Sequence, residues 1–223
     1  MATYDEIAKM IDHSLLKPTL TDRDIEEGCK IAAKYKVATV CVRPSDVVFA
    51  GKLLRDSDVL VTTVIGFPHG TTTTKAKVAE AEEAIANGCK ELDVVLNIGK
   101  LRSKDRAYVK QDLKAVIDCS HAKGVKVKVI FENCYLADDE KIMACEICNE
   151  IGADWVKTST GYGTGGAEDA DLILMRKHAK PSVQVKAAGG VRTLERAIRV
   201  RALGCTRFGC TTTIEMLESL KAK

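Results

Sequence analysis

Two lysines, Lys157 and Lys186, each stand near the end of a short apolar run that breaks into glycine: DWVKTSTG at 154–161 and VQVKAAGG at 183–190. An ammonium in a strand interior loses hydration unless something useful faces it. Two such lysines facing one cavity admit two readings. Either they form an anion pocket for a phosphate or sulfate, or one charge lowers the pKa of the other and leaves a free amine. A free amine attacks an aldehyde or ketone to form a Schiff base, an electron sink for making or breaking an adjacent carbon–carbon bond. Asp93, flanked by Leu92, Val94 and Val95, is the clearest acid embedded in an apolar run. Its structural alternative is a salt bridge to one lysine. Two lysines for one acid leave an unbalanced positive charge, which favours a functional role. A carboxylate there moves protons during carbinolamine dehydration and at the enamine carbon, and that chemistry needs no metal.

These residues must be positioned by strands. Short β-rich runs are expected at 11–16, 37–42, 60–66, 91–97, 126–132, 154–159, 183–188 and 206–210, with helical patterns between them. Four helices have legible ends: 74–87 stops at Gly88, 110–123 at Gly124, 139–151 at Gly152 and 194–203 at Gly204. Strand–helix alternation implies parallel strands with right-handed crossovers. Eight units in this length fit a single (β/α)8 TIM barrel over residues 1–223, with a doubly wound open sheet as the structural alternative. A barrel gathers the C-terminal strand ends on one face, where Asp12, His13, Cys41, Asp93, Asn97, Glu132, Lys157 and Lys186 would meet.

Gly189-Gly190-Val191-Arg192 follows the seventh strand, and Gly209-Cys210-Thr211-Thr212-Thr213 follows the eighth. Backbone N–H groups and a helix N-terminus at these two places are the usual phosphate site of such barrels. The run from Gly161 to Gly166 satisfies G-x-G-x-x-G, but the acid expected about 20 residues later is missing. A close backbone approach to a small ligand suits this loop better than a dinucleotide. The threonines at 71–74 sit where a helix N-cap belongs. His13 and His69 lie at strand ends as supporting residues, His121 and His178 on surface helices, and no spacing suggests a metal.

Composition narrows the class. The chain has 223 residues, 46% hydrophobic and 29% charged, enough for a large core without staples. A net charge of +3 without a basic block argues against nucleic acid. There is no 18-residue apolar stretch for a membrane, and the acidic N-terminus lacks a signal-peptide pattern, so a cytoplasmic protein is expected. The nine cysteines are odd in number and irregular in spacing, which suits reduced, mostly buried thiols.

The stretches IDHSLLKP (11–18), VIGFPHG (64–70), ELDVVLNIG (91–99), VKTSTG (156–161), VKAAGGVR (185–192) and RFG (207–209) together resemble the deoxyribose-phosphate aldolase family, in the family's order from about residue 8 to 217. The resemblance implies a class I aldolase on a (β/α)8 barrel, with no cofactor. It would reversibly cleave 2-deoxy-D-ribose 5-phosphate to D-glyceraldehyde 3-phosphate and acetaldehyde, in deoxyribonucleotide catabolism. It makes Lys157 the Schiff-base lysine, Lys186 the second lysine that keeps it nucleophilic, and Asp93 the proton-transferring carboxylate. It places Asp12 and Cys41 in the pocket lining, and Gly189, Val191, Arg192, Gly209, Thr211 and Thr212 on the phosphate loops. The implied partners are a phosphosugar and acetaldehyde, with a homodimer or homotetramer as the alternatives for assembly. Departures are Asn133 and Glu168, where threonine is common, Thr211 and Thr212 in place of serines, and a C-terminal end at 219–223 without a tyrosine. A different Schiff-base aldolase or a non-catalytic phosphosugar-binding barrel are the rival readings.

Overall fold

A computed structural model describes residues 3–221; residues 1–2 and 222–223, among them part of the C-terminal end noted above, lie outside the description. Eight parallel strands close into a barrel in chain order: β1 (Ile11–Leu15), β2 (Thr39–Val42), β3 (Leu60–Ile65), β4 (Glu91–Val95), β5 (Lys126–Ile130), β6 (Trp155–Lys157), β7 (Gln184–Ala187) and β8 (Arg207–Cys210). β1 pairs with both β2 and β8, which closes the ring and excludes the open sheet. All eight strands fall within the expected runs.

Ten α-helices accompany them among the described residues: α1 (Tyr4–Ala8), α2 (Asp22–Tyr35), α3 (Val47–Leu54), α4 (Thr74–Ala86), α5 (Ile98–Arg102), α6 (Arg106–His121), α7 (Asp138–Ile151), α8 (Asp169–His178), α9 (Leu194–Ala202) and α10 (Thr213–Lys221). Thr73 caps α4 by accepting from the Ala76 amide at 3.3 Å, as the threonine run suggested. Gly152 takes the left-handed conformation that ends α7. All nine cysteines are free thiols, and seven are buried.

The side chains divide into two interiors. Outward-facing residues such as Val40, Val42, Leu92, Val94, Val127, Val129, Val156, Val185 and Phe208 pack against the helices in one apolar cluster. That cluster is the core in the hydrophobic sense, and its burial drives folding. Most inward-facing positions are charged or polar instead. Strict alternation puts Glu91 and Asp93 on one side of β4 and Leu92 and Val94 on the other, so a single residue step separates the two interiors. Inside the barrel the registers stack three layers of four. Thr39, Glu91, Trp155 and Arg207 form the floor, Asp12, Thr62, Lys128 and Lys186 the middle, and Cys41, Asp93, Lys157 and Gly209 the top.

Candidate active site

Barrel interiors of this kind are usually filled by Val, Ile and Leu. Here four cations and three carboxylates occupy the space, and their contacts form one network. Asp93 sits at its centre, fully buried. Its Oδ2 accepts from both Lys157 Nζ and Lys186 Nζ, each at 2.7 Å. Its Oδ1 accepts from Lys128 Nζ at 2.8 Å. Lys186 also forms a close ion pair with Asp12. Lys128 reaches Glu91 at 2.5 Å and Asp12 at 3.6 Å. Arg207 closes the network from below, paired with Asp12 and, at 2.5 Å, with Glu91. The Trp155 ring seals the floor, its centroid 5.3 Å from the Arg207 guanidinium and 5.6 Å from Lys128 Nζ.

This arrangement ranks the amines by how firmly each holds its proton. With every group ionised, four cations face three carboxylates in a water-poor interior, where each uncompensated charge costs several kcal/mol. Releasing one proton balances the charge. Arg207 cannot release it. Lys128 touches three carboxylates and Lys186 two, whereas Lys157 touches only Asp93 among the described residues. Lys157 therefore holds its proton least firmly. Burial pushes its pKa down; Asp93 opposes that, and the Lys186 charge adds to the depression. For Lys186 burial also lowers the pKa, but Asp12 and Asp93 outweigh it and the net shift is upward. Asp93 lies well below the ordinary carboxylate range: its three lysines overcome the cost of burial. Cys41 is pushed up to about 11, by burial and then by Asp93, and stays a thiol.

Above this network the loops at the strand C-termini form a second region. A cavity of about 630 Å3 lies between the β6–α8 and β7–α9 loops, lined by Gly161, Gly163, Gly165, Gly166, Gly189 and Gly190 together with Arg192, Arg196 and Glu168. The two loops touch: the Ala167 amide donates to the Gly189 carbonyl at 3.0 Å, and a Cβ on Gly166 would stand 2.7 Å from that same oxygen. Gly189 is held at φ +84°, open to glycine alone at little cost. Arg196 is held by Asp169 and the Ala167 carbonyl, while the Arg192 side chain makes no hydrogen bond or ion pair among the described residues.

The sequence-predicted residues are thus brought together in two groups. Asp93, Lys157, Lys186, Asp12 and Cys41 share the barrel interior, with Asp12 buried among cations rather than open to solvent. Gly189 and Arg192 line the upper cavity. Val191 turns into the apolar core, and Thr211 is exposed. Gly209 belongs to β8, and the Thr212 hydroxyl donates to the Arg192 carbonyl at 2.8 Å, tying the β8 loop to the β7 loop. Asn97 caps α5, and His13 points outward to Thr213 at 2.9 Å. Glu132 accepts from the Thr160 amide at 3.2 Å and from its hydroxyl. Sequence reasoning missed Lys128, Glu91 and Arg207. For Glu91 and Lys128 the signal was a charge at alternate positions of an apolar strand; Arg207 is a single charge on β8.

A family model for the DeoC/LacD family aldolases matches residues 6–210. The chain belongs to this family. The deoxyribose-phosphate aldolase of Rhodopirellula baltica is 54% identical over 214 residues, covering 96% of this chain and 89% of the relative. That of Thermococcus gammatolerans is 49% identical over 218 residues, 97% of each chain. A solved structure, the tetrameric deoxyribose phosphate aldolase of Aeropyrum pernix, superposes with a TM-score of 0.91 at 29% identity, over 99% of this chain and 93% of that one.

Proposed function

We propose that this chain is a class I aldolase that cleaves 2-deoxy-D-ribose 5-phosphate to D-glyceraldehyde 3-phosphate and acetaldehyde, and catalyses the reverse addition. One observation carries the reading: Lys157, the lysine with the fewest carboxylates, shares Asp93 Oδ2 with a charged Lys186. In the cleavage direction Lys157 Nζ attacks the C1 aldehyde of the open-chain sugar. The carbinolamine loses its hydroxyl as water, with Asp93 and Lys186 relaying the protons, and an iminium remains. A proton leaves the C3 hydroxyl, the C2–C3 bond breaks, and its electron pair passes into the iminium to give an enamine. Glyceraldehyde 3-phosphate departs. Protonation of the enamine carbon and hydrolysis of the resulting iminium release acetaldehyde and restore Lys157.

The glycine-lined cavity suits the phosphate, with backbone N–H groups and Arg192 available to an anion. Gly189, Arg192 and the Gly161–Gly166 loop would contact it directly. Thr212, through its bond to the Arg192 carbonyl, would hold the loop in place. A homo-oligomer, dimer or tetramer, fits the tetrameric Aeropyrum pernix relative.

The test is turnover. Incubation with 2-deoxy-D-ribose 5-phosphate, followed by coupled detection of glyceraldehyde 3-phosphate, is expected to give steady release that chelators leave unchanged. Binding of the sugar phosphate without release would favour the non-catalytic rival. Release only from a different phosphosugar would favour the rival aldolase.

A further inference from the structure

The floor of the barrel holds two charges that the aldol steps never touch. Arg207 and Glu91 pair with each other at 2.5 Å, and Arg207 is the most exposed member of the network at 9%. Neither contacts Lys157. Each instead grips a middle-layer group that in turn holds a neighbour of Lys157: Glu91 holds Lys128, which holds Asp93, and Arg207 holds Asp12, which holds Lys186.

Their influence is set by charge count as much as by contact. Around Lys157 the barrel interior presents Asp12 from β1, Cys41 from β2, Glu91 and Asp93 from β4, Lys128 from β5, Lys186 from β7 and Arg207 from β8, while β3 contributes the uncharged Thr62. Lys126 Nζ lies 5.5 Å from the centroid of the Trp155 ring, and Glu132 accepts from the Thr160 amide. Arg207 is the one cation that keeps its charge under all conditions, so its presence obliges a lysine to give up a proton. Removing it leaves three lysines against three carboxylates, a balanced set in which Lys157 stays protonated. Removing the Glu91 charge does the reverse.

We propose that Arg207 and Glu91 are positioning residues that set the acidity of Lys157 from the barrel floor, by opposing contributions to one buried charge balance. The proposal rests on the assignment of Lys157 as the reactive amine, but its test reads protonation rather than turnover. Competitive acetylation with acetic anhydride over a pH series, followed by peptide mass analysis, gives the titration midpoint of Lys157 in each folded variant, with circular dichroism checking the fold.

Arg207→Met is expected to raise the midpoint and Glu91→Gln to lower it, each on the order of one unit. The double variant Arg207→Met/Glu91→Gln restores the original charge surplus and is expected to return the midpoint near its starting value. Single variants that fold and move the midpoint in the same direction, or leave it in place, overturn the proposal. Glu91→Gln covers the case in which Arg207→Met does not fold: it keeps the guanidinium and removes one carboxylate, so the Lys157 midpoint falls. A midpoint that is unmoved or raised by Glu91→Gln overturns the proposal equally. Failure of the aldolase reading would register separately, as loss of sugar phosphate cleavage in the unaltered protein with these midpoints still measurable.

Discussion

Lys157 and Lys186 are neighbours in register across β6 and β7, yet their surroundings push them apart in pKa. Burial lowers both. Asp12 and Asp93 then restore the proton to Lys186, whereas Lys157 has Asp93 alone and faces the Lys186 charge. Pairs of titratable groups driven in opposite directions mark acid and base assignments. Replacing Lys186 with leucine removes one cation and leaves three cations against three carboxylates, so Lys157 retains its proton. The free amine is present above the Lys157 pKa and lost below it, so a raised pKa moves activity to higher pH. Lys186→Leu is expected to lower the cleavage rate near neutral pH by roughly 10²–10⁴-fold, with partial recovery in alkaline solution. An unchanged rate and pH profile would refute the paired-lysine account.

At the scale of elements, the site depends on where strands end and loops touch. Glycine C-caps and the period-2 pattern made the strands and four helix ends readable, because those signals depend only on local backbone freedom and side-chain alternation. The inner charges on the floor were not readable, for a specific reason. In Lys126-Val127-Lys128-Val129 the alternation reveals two faces but not which one turns inward, and the apolar face proves to be the outer one. Strand lysines near a C-terminal glycine were conspicuous; Lys128, Glu91 and Arg207 look in sequence like ordinary solvent-facing residues. The upper cavity shows a similar limit. Gly189 and Arg192 were legible from the β7 loop, but the cavity wall comes largely from the Gly161–Gly166 loop, because Gly166 and Gly189 bring the neighbouring β6 and β7 loops into contact. That contact is testable. Gly166→Ala would force the loops apart and is expected to raise KM for the sugar phosphate about tenfold, equivalent to ~1.4 kcal/mol, with acetaldehyde still trapped at Lys157. A normal KM would show that this contact does not shape the phosphate cavity.

The whole molecule combines two interiors with separate tasks. The apolar shell between barrel and helices supplies the burial that stabilises the fold, which leaves the barrel interior free to hold charges that weaken it. One buried surplus charge is the consequence, and the proposed mechanism relieves it at Lys157 to leave a reactive amine. The measurement that bears most directly on this claim is reductive trapping. The protein is mixed with acetaldehyde near neutral pH, reduced with sodium borohydride, digested and mapped by mass spectrometry. The account predicts a single N-ethyl modification on the peptide containing Lys157. Modification at Lys186 or Lys128 instead, or none, would contradict it.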